Sequence, residues 1–147
     1  MKAYFLDTSA FIKRYLNEAG SETVDSIFDA DGPKHISSLC LLETHSNIQR
    51  LHMVDGLLTS TQAEMLQAAV ALDIDSGRVT VVNPTAVDIE EAVRLLARSY
   101  LTAVDALQVA IAIGLGPDTV FVSADAKLNR VAEQQGLTVL DPTQRLG

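Results

Sequence analysis

The sequence predicts an α/β fold: a parallel sheet with helices packed on both faces. Two observations lead there. Short apolar runs ending at cap or turn residues alternate with longer segments of helical periodicity. The runs are apolar throughout, as strands buried on both faces must be. At 147 residues, 48% hydrophobic and 20% charged, the chain fits one domain spanning 1–147 with a packed core. Only 5% is aromatic and there is no Trp, so Leu, Val, Ala and Ile must fill that core.

The elements follow in order. Ala3-Tyr4-Phe5-Leu6 is a buried strand that stops at Asp7-Thr8-Ser9. A helix over residues 10–16 places Phe11, Ile12, Tyr15 and Leu16 on one side, and Gly20 lies in the break before a second helix at about 22–30. His35-Ile36 is a very short strand; Ser37 or Ser38 then caps a long helix reaching about Val54, closed by Asp55-Gly56. Ser60-Thr61 with Glu64 resembles a capping box ahead of Met65, Leu66, Ala69, Val70 and Leu72 at helical spacing. A strand at 79–82 precedes a helix begun by Pro84-Thr85. The helix at 102–115 is almost wholly apolar. A strand at 119–122, a helix at 124–135 and a strand at 137–140 complete the chain.

Several classes fall away. The single cysteine, Cys40, cannot form an internal disulfide and sits among leucines, which favours a buried thiol in a reducing compartment. The N-terminus lacks the apolar core of a signal peptide, of about 7–15 residues, and no apolar stretch reaches the roughly 18 needed to span a membrane. A soluble, cytoplasmic protein is expected. The net charge of −8 and pI near 4.7 argue against general nucleic-acid affinity. A cluster of acids that binds divalent cations reverses the local sign of charge, so the total does not decide the matter.

Most acids, among them Asp25, Asp29, Glu90, Glu91 and Glu133, fall on polar helix faces. Four break the pattern. Asp7 follows the first strand directly, and Asp125 comes two residues after the strand at 119–122, at the sheet edge where ligands bind in open parallel sheets. Either could also be a plain helix cap. Asp105 lies in an apolar helix, where a lone carboxylate costs several kcal/mol unless paired or metal-bound. Proximity to the helix N-terminus returns only ~0.3–1 kcal/mol. Glu43 borders an apolar stripe and is ambiguous alone. Together, carboxylates without a neighbouring Lys or Arg suit a hard cation such as Mg2+ or Mn2+, and so metal-dependent phosphoryl chemistry.

These residues resemble the PIN-domain family, in particular the VapC toxins of bacterial toxin–antitoxin pairs. Tyr4-Phe5-Leu6-Asp7-Thr8-Ser9-Ala10-Phe11-Ile12-Lys13-Arg14-Tyr15 is similar to the family's first motif. Leu42-Glu43, Val104-Asp105-Ala106-Leu107 and Phe121-Val122-Ser123-Ala124-Asp125 are similar to the other three, in the same order, from Ala3 to about Pro142. The resemblance implies a PIN-like three-layer domain with a parallel five-stranded sheet and the four acids at one edge. It implies Mg2+- or Mn2+-dependent endoribonuclease activity, with Asp7 and Asp105 as ligands and Glu43 and Asp125 acting directly or through water. Thr8 and Ser123 match supporting hydroxyl positions. Homodimerisation and a small antitoxin partner are implied as well. The sequence departs at Thr102, where many relatives carry Arg, and in its acidity.

Rival readings are discriminated by residue. A haloacid-dehalogenase-type phosphatase needs a second Asp where Ser9 stands, and a receiver domain needs an acidic pair that the first strand lacks. A catalytically inactive PIN-like module that binds RNA or protein is the alternative from another class. His35, His45 and His52 show no metal-ligand spacing. Lys13 and Arg14 are candidates to meet phosphate near Asp7, with Arg50 and Arg98 further along the chain.

Overall fold

The computed structural model describes residues 2–144. Five strands, β1 (Ala3–Leu6), β2 (Lys34–Ser37), β3 (Thr80–Val82), β4 (Thr119–Val122) and β5 (Thr138–Leu140), form one parallel sheet in the order β3-β2-β1-β4-β5. From β1 the chain builds outward through β2 and β3, then crosses to β4 and β5 on the other side. The order therefore reverses between β1 and β4, where a crevice opens beyond the strand ends.

The pleat divides the core. Phe5 and Phe121 pair across β1 and β4, stack at 5.9 Å, and face α5 (Ala86–Arg98), α6 (Ala103–Gly114) and α7 (Ala126–Gln134). Leu6, Ile36, Val120 and Val122 face the other way, into a cluster formed with α1 (Thr8–Phe11), α2 (Ser21–Asp29), α3 (Ser38–Met53) and α4 (Ser60–Asp75). The expected fold, a five-stranded parallel sheet between helical layers, is what the chain adopts. No helix of the described residues is long and apolar enough to cross a membrane.

Three local readings need correction. The helix expected over 10–16 is instead α1 followed by a 3-10 turn, Ile12–Arg14, because the carboxylate of Asp7 caps the chain earlier, accepting from the Ala10 amide. The capping box of α4 is formed by Thr59 and Gln62, not by Ser60 and Glu64. The apolar face read for α4 is buried only in part: Val70 is fully enclosed, whereas Met65 and Leu72 are exposed. Gly20 is required as glycine at φ +93°, since a Cβ there would stand 2.9 Å from the Pro142 carbonyl oxygen. That contact ties the loop before α2 to the segment after β5.

Candidate active site

Register sets the site. Leu6 and Val122 are paired, so Asp7 and Ser123 leave adjacent strands side by side at the point of reversal. The Asp7 amide donates to the Val122 carbonyl at 3.0 Å. Ser123 donates to Asp7 Oδ2 at 2.6 Å, and Ser9 donates to Oδ1 at 2.7 Å. Ser9 Oγ also accepts the Ala124 amide, which binds the loop after β4 to the turn after β1. Asn129, one turn into α7, donates to the Ser123 carbonyl at 2.8 Å and holds that loop from the far side.

Asp7 is 5% exposed. Burial pushes its pKa up to about 6 against three hydrogen bonds that lower it, and the negative charge of Asp105 adds a further push. A second acid is equally enclosed and is held otherwise. Asp73, in α4, is also 5% exposed, yet it accepts from Tyr15 at 2.8 Å and pairs with Arg14 and Arg78. Arg14 reaches Asp25 as well and lies 4.4 Å from the centre of the Phe28 ring. Among the described residues, none of Asp7, Glu43, Asp105 and Asp125 forms an ion pair.

The other three acids come from different elements, and charge links Asp105 to Asp7, to Asp125 and to Glu43. Glu43, half-buried on α3, accepts from Thr8 Oγ1 at 2.7 Å, so the first motif orients the second. Asp105, half-buried in the first turn of α6, follows the cap Thr102, whose Oγ1 accepts its amide. Burial raises its pKa, the Thr102 hydroxyl lowers it, Asp125 and Glu43 raise it through their charges, and Lys127 lowers it. Asp125 is exposed and caps α7, accepting the amides of Lys127 and Leu128. The plain capping roles weighed for Asp7 and Asp125 are thus real, and coexist with their place beside Asp105. Gln108, one turn beyond Asp105, accepts from Ser37 Oγ at 2.8 Å. Ser37 is the cap of α3, so this bond joins the helix of Asp105 to that of Glu43.

The donor set fits a hard divalent cation: carboxylate and hydroxyl oxygens, mutually repelling charges, and no ion pair to any of the four acids among the described residues. As the side chains stand, no three His, Cys, Asp or Glu among the described residues form a ready cage for a metal ion. Sequence reasoning missed Ser9, Asn129, Gln108 and Asp73. A second hydroxyl two residues after a strand-end Asp was the available signal for Ser9; the others depend on contacts distant in sequence. Lys13 and Arg14, candidates for phosphate contact or plain solvated charge, are instead committed to Glu18 and to Asp73 and Asp25. Cys40 is buried, and its thiol is pushed up to about 12 by burial, as a structural cysteine requires.

The family model of the PIN domain matches residues 4–134. This chain belongs to the PIN domain family. Solved structures share the PIN fold at low identity. FitAcB from Neisseria gonorrhoeae superposes with a TM-score of 0.71 at 14% identity, over 95% of this chain and 97% of that one. VapC20 of Mycobacterium tuberculosis, a Sarcin-Ricin loop cleaving toxin, gives 0.66 at 23%, over 92% and 96%. VapBC2 from Rickettsia felis, bound to a DNA fragment from its promoter, gives 0.66 at 17%, over 94% and 97%. At these identities the likeness is one of fold. No curated protein matches the chain.

Proposed function

We propose that this PIN domain is a metal-dependent endoribonuclease and the toxin of a toxin–antitoxin pair. One observation carries the reading. Two acids are equally buried; Asp73 is neutralised by arginines, while Asp7 meets only hydroxyl and amide donors and the added negative charge of Asp105. Keeping such a cluster charged calls for a cation from outside the chain.

Asp7 and Asp105 would hold Mg2+ or Mn2+, with Glu43 and Asp125 contributing directly or through water. When bound, the ion supplies charge neutralisation and an activated water for in-line displacement at an RNA phosphodiester. Ser123 and Ser9 fix the Asp7 carboxylate, and Thr8 fixes Glu43. Relatives of similar fold include the Sarcin-Ricin loop cleaving toxin and a toxin–antitoxin complex from Klebsiella pneumoniae. An antitoxin fits the same chemistry, because an Arg or Lys inserted among unpaired acids makes charge-assisted hydrogen bonds in place of the metal. The exposed Met65 and Leu72 of α4 offer apolar surface for a homodimer.

The test is cleavage of single-stranded RNA by purified protein with Mn2+, with Mg2+ and with chelator, beside Asp7→Asn and Asp105→Asn. Cleavage by the wild type alone, and only with metal, supports the proposal. RNA binding without cleavage under every metal condition would favour the inactive binding module.

A further inference from the structure

We propose that Tyr100 and Lys127 form a nucleotide-binding rim beside the acid cluster, the Tyr100 ring stacking on a base of single-stranded RNA and the Lys127 ammonium pairing with an adjacent phosphate. The inference rests on the endoribonuclease reading and names how substrate is held.

The chain has three Tyr and four Phe. Six of these rings are buried or half-buried; Tyr100 alone is open, at 89% exposure. A single exposed apolar side chain is ordinary on a protein surface, so exposure by itself assigns nothing. Its placement does. Tyr100 lies in the short link between α5 and α6, two residues before the Thr102 cap and five before Asp105. The Lys127 ammonium, from the first turn of α7, stands 5.0 Å from the ring centroid. The ring therefore connects the helix starts that carry Asp105 and Asp125.

Lys127 is placed to matter for a polyanion. Its charge bears on Asp105, yet among the described residues it forms no ion pair and rests over the aromatic face. Lys13 and Arg14 are spent in ion pairs, so Lys127 is a free cation close to the acids. On a chain of net charge −8, a strand with its scissile phosphate at the acids needs local compensation for the neighbouring phosphates. A stacking ring beside a cation is the arrangement by which proteins hold single strands without reading sequence.

The experiment uses a non-cleavable single-stranded oligoribonucleotide carrying 2-aminopurine, titrated in Mn2+ into wild type, Tyr100→Ala, Tyr100→Phe and Lys127→Ala. Steady-state cleavage of an unmodified strand and sedimentation are measured alongside. Stacking predicts quenched fluorescence in wild type and Tyr100→Phe. Tyr100→Ala should lose quenching and bind about tenfold more weakly, with KM raised and kcat within about twofold of wild type. Lys127→Ala should lower the magnitude of the salt slope by about 0.7. If the wild type cleaves RNA while Tyr100→Ala binds, quenches and cleaves equally well, the inference falls and the nuclease reading stands. It also falls if Tyr100→Ala weakens RNA binding only by dissociating a dimer, since the ring then serves a second copy. A wild type that neither binds nor cleaves RNA overturns both readings.

Discussion

Ser123 donates a 2.6 Å hydrogen bond to Asp7 Oδ2 across 116 positions of sequence, joining the ends of β4 and β1 where the sheet order reverses. The same oxygen of Ser123 accepts the Asp125 amide at 3.1 Å, so one hydroxyl positions two of the four acids.

Ser123→Ala is expected to cost about 1–3 kcal/mol of stability, because a buried carboxylate loses a donor and the part-buried Asp125 amide loses an acceptor. With that lowering hydrogen bond gone, the pKa of Asp7 rises further, and the acid limb of the pH–rate profile should move to higher pH. Urea denaturation and the pH dependence of cleavage measure the two effects. An unchanged midpoint with an unchanged profile would show that Ser123 neither supports nor tunes Asp7.

Stability in chelator should fall as pH rises from about 4 to 7. The folded-state pKa of Asp7, about 6, lies above its ordinary value of 3.8. The folded state thus holds the proton more tightly, and its advantage is complete below the lower value and lost as pH passes the upper one. The loss from this group is about 3 kcal/mol at most, and saturating Mn2+ should remove it by binding the ionised form. Chemical denaturation at a series of pH values, with and without Mn2+, tests the sign. Stability that climbs through this window in chelator and ignores Mn2+ would contradict it.

Asp105→Asn should raise stability without metal and abolish cleavage. Removing one charge relieves repulsion from Asp125 and Glu43, while an amide is a poorer ligand for a hard cation. Denaturation midpoints in chelator and cleavage in Mn2+ give the two readouts. A less stable metal-free variant, or one that still cuts RNA, would count against the shared metal site.

The legible part of this fold was the part governed by local pattern. Apolar runs halted by Asp7 and by Ser123-Ala124-Asp125 marked two strand ends, and the register of β1 with β4 then made those ends neighbours. Asp105 was legible because a carboxylate in an apolar helix lacks a local explanation. Features set by tertiary contacts were hidden. Asp73 meets Tyr15 58 positions away, and Gln108 meets Ser37 71 positions away. Arg14 and Lys13 look solvated in sequence, yet Arg14 is drawn to the buried Asp73 and Lys13, 8% exposed, to Glu18. The 3-10 turn at Ile12–Arg14 reads as helix in sequence because Phe11, Ile12, Tyr15 and Leu16 carry helical spacing.

RNA affinity should be weak in chelator and shallow in its salt dependence. With Lys13 and Arg14 in ion pairs, few cations remain to neutralise phosphate, and each contributes a slope of about −0.7 for single strands. Binding of a non-cleavable strand at several salt concentrations, in Mg2+ or chelator, checks this. Tight and steeply salt-dependent binding in chelator would reveal a broad basic surface incompatible with the account.

The central claim is that four acids from separate elements serve one divalent cation. Anomalous diffraction from crystals equilibrated with Mn2+ tests it most directly. The account predicts a manganese peak bounded by carboxylate oxygens of Asp7 and Asp105 at roughly 2.0–2.6 Å, with Glu43 and Asp125 in its first or water-linked second shell, and no such peak in Asp7→Asn. Manganese bound elsewhere at saturation, with Asp7 still held only by Ser9, Ser123 and the Ala10 amide, would contradict it.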